Sequence, residues 1–227
     1  MKEKNMKIAG FQKTSFVDYP KIVSCVVFTP GCNMRCSYCH NKHILSGNIP
    51  EVDELAVLDY LRKRVGVISG VVVSGGEPTL QNDLERFVTV VKNMGYKIKL
   101  DTNGTNPEVL KSLCEKGLVD YVAMDLKAPI EKYSEICCAE IDVSKVKESI
   151  EYLQSNGIAH EFRTTFCPEL TMEDIVSISE KLAKNSDFYL QQYRQVDGGM
   201  LPHSREYVEQ TAEAVRQNGG KCTVRGL

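Results

Sequence analysis

Apolar positions along the chain follow two alternating rhythms. Continuous apolar runs at 22–29, 70–74, 96–101, 120–125, 161–166 and 188–193, each bounded by turn residues, predict six strands. Between them apolar residues recur every three or four positions: Leu55, Leu58, Leu61 and Val65; Leu84, Phe87, Val88 and Val91; Val109, Leu110 and Leu113; Val146, Ile150 and Leu153; Ile175, Ile178 and Leu182. That spacing lines one face of a helix, so five helices separate the six strands. Tyr207, Val208, Ala212 and Val215 predict a sixth. Helix punctuation agrees: Asn106 stands before Pro107 as a cap before a first-position proline, and Thr171 to Asp174 has the form of a capping box.

Strand–helix alternation of this kind implies parallel strands joined by right-handed crossovers, as an open sheet or a barrel. In both, ligands collect where the strands end. The polar residues obey that rule. A cysteine loop follows the first strand, Gly75, Gly76 and Glu77 follow the second, and Asp101, Thr102 and Asn103 end the third. Asp125 and Lys127 end the fourth, Arg163 lies in the fifth, and Gln191, Gln192 and Arg194 close the sixth. Six segments therefore bring polar chemistry to one rim.

Composition narrows the class. A net charge of -2 and a pI near 6.1 leave no basic stripe for nucleic acid, so none is expected as a partner. No run approaches the roughly 18 apolar residues of a membrane span, and the first ten residues lack a secretory apolar stretch. A cytoplasmic protein without a membrane partner is expected. Nine cysteines, an odd number, suit ligand or core roles in a reducing compartment better than a disulfide framework.

The cysteine loop reads TPGCNMRCSYCHN over 29–41. Cys36, Cys39 and His40 mimic a covalent haem attachment spacing, three thiols beside a histidine suggest zinc, and C-x3-C-x2-C suggests an iron-sulfur cluster. Haem attachment belongs to exported proteins, which the composition disfavours. His40 is a poor fourth zinc ligand because it directly follows Cys39. Three thiolates suit a cluster of four irons with one iron left open.

CNMRCSYC resembles the C-x3-C-x-aromatic-C signature of the radical S-adenosylmethionine enzymes, with Tyr38 at the aromatic position. Ser74-Gly75-Gly76-Glu77-Pro78 is similar to that superfamily's GGE motif, and LDTNG at 100–104 and MDLK at 124–127 resemble segments of its glycyl-radical-enzyme activases. The resemblance runs from about Phe11 to Arg194, most nearly to the activating proteins of anaerobic ribonucleoside-triphosphate reductase. It implies an α/β fold, a partial (β/α)6 TIM-like barrel, as a single domain over 1–227. The N-terminal extension would cover about 1–20, the core about 21–194, and a C-terminal helix and tail about 195–227.

The same resemblance implies the site. Cys32, Cys36 and Cys39 would hold one 4Fe-4S cluster. Tyr38, Gly75, Gly76, Glu77, Asp101, Asn103, Lys127 and Arg163 would contact S-adenosylmethionine. Asp101, Thr102, Met124 and Asp125 would offer oxygens to a monovalent cation. Reductive cleavage of S-adenosylmethionine would yield a 5'-deoxyadenosyl radical that takes a hydrogen from a glycine of a partner glycyl radical enzyme. A flavodoxin or ferredoxin would donate the electron. Many activases carry DGPG before the first strand, where this chain has Ser15-Phe16-Val17-Asp18-Tyr19-Pro20, a departure from the pyruvate formate-lyase type. That activity, and a small-molecule radical enzyme such as a modified-purine synthase, are the alternatives. Among the other cysteines, Cys25 and Cys114 fall on apolar patterns and read as core. The sequence offers no account of Cys137 and Cys138.

Overall fold

The computed structural model describes residues 5–45, 51–195 and 198–227. The chain gathers into two compact units, Met1–Asn33 with Asn41–Thr102 and Glu108–Val122, and Met34–His40 with Asn103–Pro107 and Ala123–Leu227.

In the first unit, β1 (Gly10–Ser15) and β2 (Ser24–Thr29) are followed by α1 (Lys42–Leu45), α2 (Glu54–Arg62), β3 (Gly70–Gly75), α3 (Leu84–Asn93), β4 (Lys97–Thr102) and, from its second residue on, α4 (Pro107–Glu115). Strands neighbour one another in chain order. β2, β3 and β4 run parallel, with Val26 opposite Val72 and Val72 opposite Lys99. Val71, Val72 and Val73 have no measurable exposure, as expected of a parallel strand covered on both faces. α3 buries Leu84, Phe87, Val88 and Val91, the predicted stripe. α2 departs from its predicted stripe: Val57, Leu58 and Leu61 are buried, whereas Leu55 is exposed and Val65 lies beyond the helix and is also exposed. Asp120 ties the end of this unit together, accepting from Ile98 N at 2.7 Å and pairing with Lys92.

β5 (Tyr121–Asp125) begins in the first unit and ends in the second. The second unit continues with α5 (Tyr133–Cys137), α6 (Val143–Ser155), β6 (Ala159–Phe166), α7 (Met172–Lys181), β7 (Asp187–Gln192), α8 (Arg205–Gln217) and β8 (Lys221–Arg225). β6, β7 and β8 are parallel, with Arg163 opposite Tyr189 and Gln191 opposite Arg225. The predicted capping box is present: Asp174 N donates to Thr171 Oγ1 and Thr171 N to Asp174 Oδ2 at 2.9 Å. α8 buries Val208, Thr211, Ala212 and Val215.

The six predicted strands are β2 to β7, in a mostly parallel α/β arrangement. Two more strands flank them. β1 pairs antiparallel with β2, and β8 adds a parallel edge held where Arg225 reaches the fully buried Glu161 at 2.7 and 3.0 Å. Neither has an apolar run: GFQKTS and KCTVR each alternate with polar residues, which hides them from a search for continuous hydrophobicity.

Candidate active site

In the first unit, the turn after β3 is stitched to the turn after β2. Gly76 N donates to Thr29 O at 2.9 Å and Glu77 N to Gly31 O at 2.8 Å. Gly75 has φ +119°, outside the reach of ordinary side chains, and a Cβ on Gly76 would lie 1.8 Å from Gly31 O. Glycine is required at 75 by its dihedral and at 76 by this close approach. Gln81 Nε2 donates to Pro30 O at 2.8 Å, and Gly31 N to Ile44 O at 2.9 Å. The residues leading into Cys32 are thus fixed by the GGE turn and its neighbours.

Glu77 is fully buried and caps the short 3-10 turn Pro78–Leu80. Its Oε1 accepts from Thr79 N at 3.1 Å, Thr79 Oγ1 at 2.6 Å and Thr102 Oγ1 at 2.7 Å. Asp101, at the end of β4, accepts from Ser74 Oγ at 3.1 Å and forms an ion pair with Lys99. The ends of β3 and β4 are therefore joined twice, through Ser74 to Asp101 and Glu77 to Thr102.

In the second unit, the loop 34–40 carries Cys36 and Tyr38, both buried, and Cys39, partly exposed. Arg35 N donates to Cys137 O at 2.8 Å, Cys39 N to Cys36 O at 3.1 Å, and Ser37 Oγ to Glu169 Oε1 at 2.7 Å. The Cys137 thiol hydrogen-bonds Cys36 and lowers its pKa, a shift that burial opposes and Lys127 assists. Cys137 itself is pushed up by that bond and by burial. Burial likewise raises Tyr38. The direction of the Cys36 shift favours the thiolate, the form that binds iron.

Asp125 stands between two cations. Arg163 Nε donates to its Oδ1 at 2.8 Å and Lys127 Nζ to its Oδ2 at 3.0 Å. Burial works to raise its pKa, but Arg163 and Lys127 prevail and hold it at about 2. Lys127 is raised in turn: burial opposes, and Asp125 overcomes it. Backbone bonds fix the group, since Leu126 N donates to Arg163 O at 2.8 Å and Thr164 Oγ1 to Leu126 O at 2.7 Å. Asn103 is buried in a local turn, its Oδ1 accepting from Thr105 N at 3.1 Å and Thr105 Oγ1 at 2.7 Å.

The predicted residues thus fall into two sets. Cys32, Gly75, Gly76, Glu77, Asp101 and Thr102 belong to the first unit, and Cys36, Tyr38, Cys39, Asn103, Met124, Asp125, Lys127 and Arg163 to the second. All three loop cysteines are free thiols. Among the described residues no three His, Cys, Asp or Glu side chains are gathered as a ready-made site for a metal ion. Of the residues expected to offer oxygens to a monovalent cation, Asp101 pairs with Lys99, and the two oxygens of Asp125 take Arg163 and Lys127. The His40 ring lies 6.3 Å from that of Tyr193. Cys25 is fully buried, as expected, while Cys114 is only partly so. The contacts of Ser74, Lys99 and Cys137 with Asp101 and Cys36 are not legible in the sequence. Only Lys99 left a signal, a charge two residues before Asp101 in an apolar strand.

The model of the radical S-adenosylmethionine superfamily matches residues 26–182. A provisionally named glycyl-radical enzyme activating enzyme of Methanocaldococcus jannaschii is 36% identical over 201 residues, covering 84% of this chain and 81% of that one. The pyruvate formate-lyase-activating enzyme of Streptococcus mutans is 30% identical over 176 residues, covering 70% and 66%. In fold, a domain of a pyruvate-formate lyase-activating enzyme from Bacteroides vulgatus superposes with a TM-score of 0.58 at 18% identity, covering 70% of this chain and 99% of that one. The chain belongs to the radical S-adenosylmethionine superfamily, among its glycyl-radical-enzyme activating enzymes.

Proposed function

We propose that this protein activates a glycyl radical enzyme, and that its partner is an anaerobic ribonucleoside-triphosphate reductase. The observation that carries the activase reading is similarity across 84% of the chain to a relative of that name. The choice of reductase rests on the segments GGEPTLQ, LDTNG and DYVAMDLKAP and on the absence of DGPG before β2.

In this reading Cys32, Cys36 and Cys39 hold a 4Fe-4S cluster, and the downward shift of the Cys36 thiol suits the thiolate such a ligand requires. When bound, the cluster and S-adenosylmethionine supply reductive cleavage of the sulfonium and, through the 5'-deoxyadenosyl radical, abstraction of one hydrogen from a glycine α-carbon. The chain's own residues bind and orient. Gly75, Gly76 and Glu77 would receive the amino end of the ligand, the two glycines being held close against the backbone of Thr29 and Gly31. Lys127 and Arg163, which hold Asp125, would supply the positive charge for the ligand carboxylate. Asp101 and Asn103 would contact the ribose, and Tyr38 is buried in the cysteine loop. A cytoplasmic flavodoxin or ferredoxin delivers the electron.

Isotope transfer tests the reaction. Reductase carrying dideuterated glycine should pass deuterium into 5'-deoxyadenosine when mixed with the reduced, reconstituted protein. Unlabelled 5'-deoxyadenosine from that mixture would refute the assignment of substrate.

A further inference from the structure

Lys99 is a buried cation that the reaction outlined above does not use. It lies in the middle of β4 with 2% of its surface exposed. Its strand neighbour is Val72, which packs with Tyr19 and Val26, and Phe28 and Tyr121 lie against that cluster. Removing an ammonium from water into such surroundings costs several kcal/mol unless a partner offsets it. The partner is Asp101, two residues on and therefore on the same face of the strand, and its carboxylate forms the ion pair with Lys99 while also accepting from Ser74 Oγ at 3.1 Å. Among the residues implied to bind a monovalent cation, Asp101 is thus supplied with positive charge from within its own strand. Asp125 is supplied independently by Arg163 and Lys127. Thr102 contributes its hydroxyl proton to Glu77 at 2.7 Å.

We propose that Lys99 is a built-in counter-cation for Asp101, standing in place of an exchangeable sodium or potassium ion and acting as a positioning residue for the Asp101 carboxylate. The proposal rests on the reading of Asp101 as a contact of S-adenosylmethionine. A covalently attached charge keeps Asp101 oriented whatever the salt, whereas an exchangeable ion would make ligand affinity a saturable function of its concentration.

The test measures equilibrium binding of S-adenosylmethionine to the reconstituted protein in choline, sodium and potassium chloride at equal ionic strength. Thermal unfolding of the same samples without ligand is followed alongside. The wild type should give the same affinity and midpoint in all three salts. Lys99→Met should bind about tenfold more weakly in choline and regain affinity in potassium or sodium, a coupling of ordinary allosteric size. Its unfolding midpoint should show the same salt rescue, and Lys99→Arg should remain indifferent to the cation. Wild-type affinity or midpoint that rises saturably with potassium would overturn the proposal, as would a Lys99→Met protein, folded or destabilised, that no cation rescues. Wild type that fails to bind S-adenosylmethionine at all would instead overturn the functional reading, while the unfolding data would still decide the role of Lys99.

Discussion

Thr102 Oγ1 donates to Glu77 Oε1 at 2.7 Å, linking the end of one parallel strand to the turn that follows its neighbour. Both side chains are buried, so the bond works in a medium where an unmet carboxylate oxygen is costly. The GGE turn is therefore part of a network with the LDTNG segment, and the two motifs depend on each other.

Thr102→Val removes the donor at nearly constant shape. Glu77 keeps Thr79 but loses this bond, at a cost of about 1–3 kcal/mol in stability. Affinity for S-adenosylmethionine should fall as well, while Thr102→Ser should restore most of both. Chemical denaturation and equilibrium binding measure the two effects, and an unchanged affinity in Thr102→Val would separate Glu77 from the ligand.

Gly76→Ala should disturb the cysteine loop from a distance. The added Cβ meets Gly31 O at 1.8 Å, and because that atom is backbone it has no rotamer to escape into. The expected loss is about 2–3 kcal/mol, or a melting point lower by roughly 5–10 °C. Iron and sulfide content after reconstitution should drop in parallel, since Gly31 leads into Cys32.

Acid should weaken the protein through Asp125. Its pKa is depressed from 3.8 to about 2, so the carboxylate's contribution is complete above pH 4 and is lost as pH falls toward 2. The size is about 2 kcal/mol from the shift alone. Asp125→Asn should lack this acid-dependent component. It should also be less stable at pH 7, because Arg163 and Lys127 are left without their carboxylate. Unfolding free energies between pH 2 and 5 for both proteins check the sign and the window.

Much of this arrangement is legible in the sequence because the strands that carry it are covered on both faces. A run such as Val71-Val72-Val73 has few other uses, and the rim residues follow directly from where such runs stop. β1 and β8 are edge strands with polar alternation, and edges need no continuous apolar run. Leu55 and Val65 show the opposite failure, apolar residues on helical spacing that tertiary packing leaves exposed. Lys99, Ser74 and Cys137 acquire meaning only from partners distant in sequence or on the same strand face. Periodicity locates a strand end, but it does not say that Asp101 is already neutralised, or that the Cys137 thiol lies against Cys36.

The central claim is that the chain installs a radical on a glycine of another protein. The most direct measurement is electron paramagnetic resonance of the reconstituted, reduced protein mixed with S-adenosylmethionine and, separately, anaerobic ribonucleotide reductase and pyruvate formate-lyase. The account predicts a glycyl doublet with the reductase, none with the lyase, and none with either when Cys36→Ala replaces the wild type. A doublet with the lyase alone, or an undiminished signal from Cys36→Ala, would contradict it.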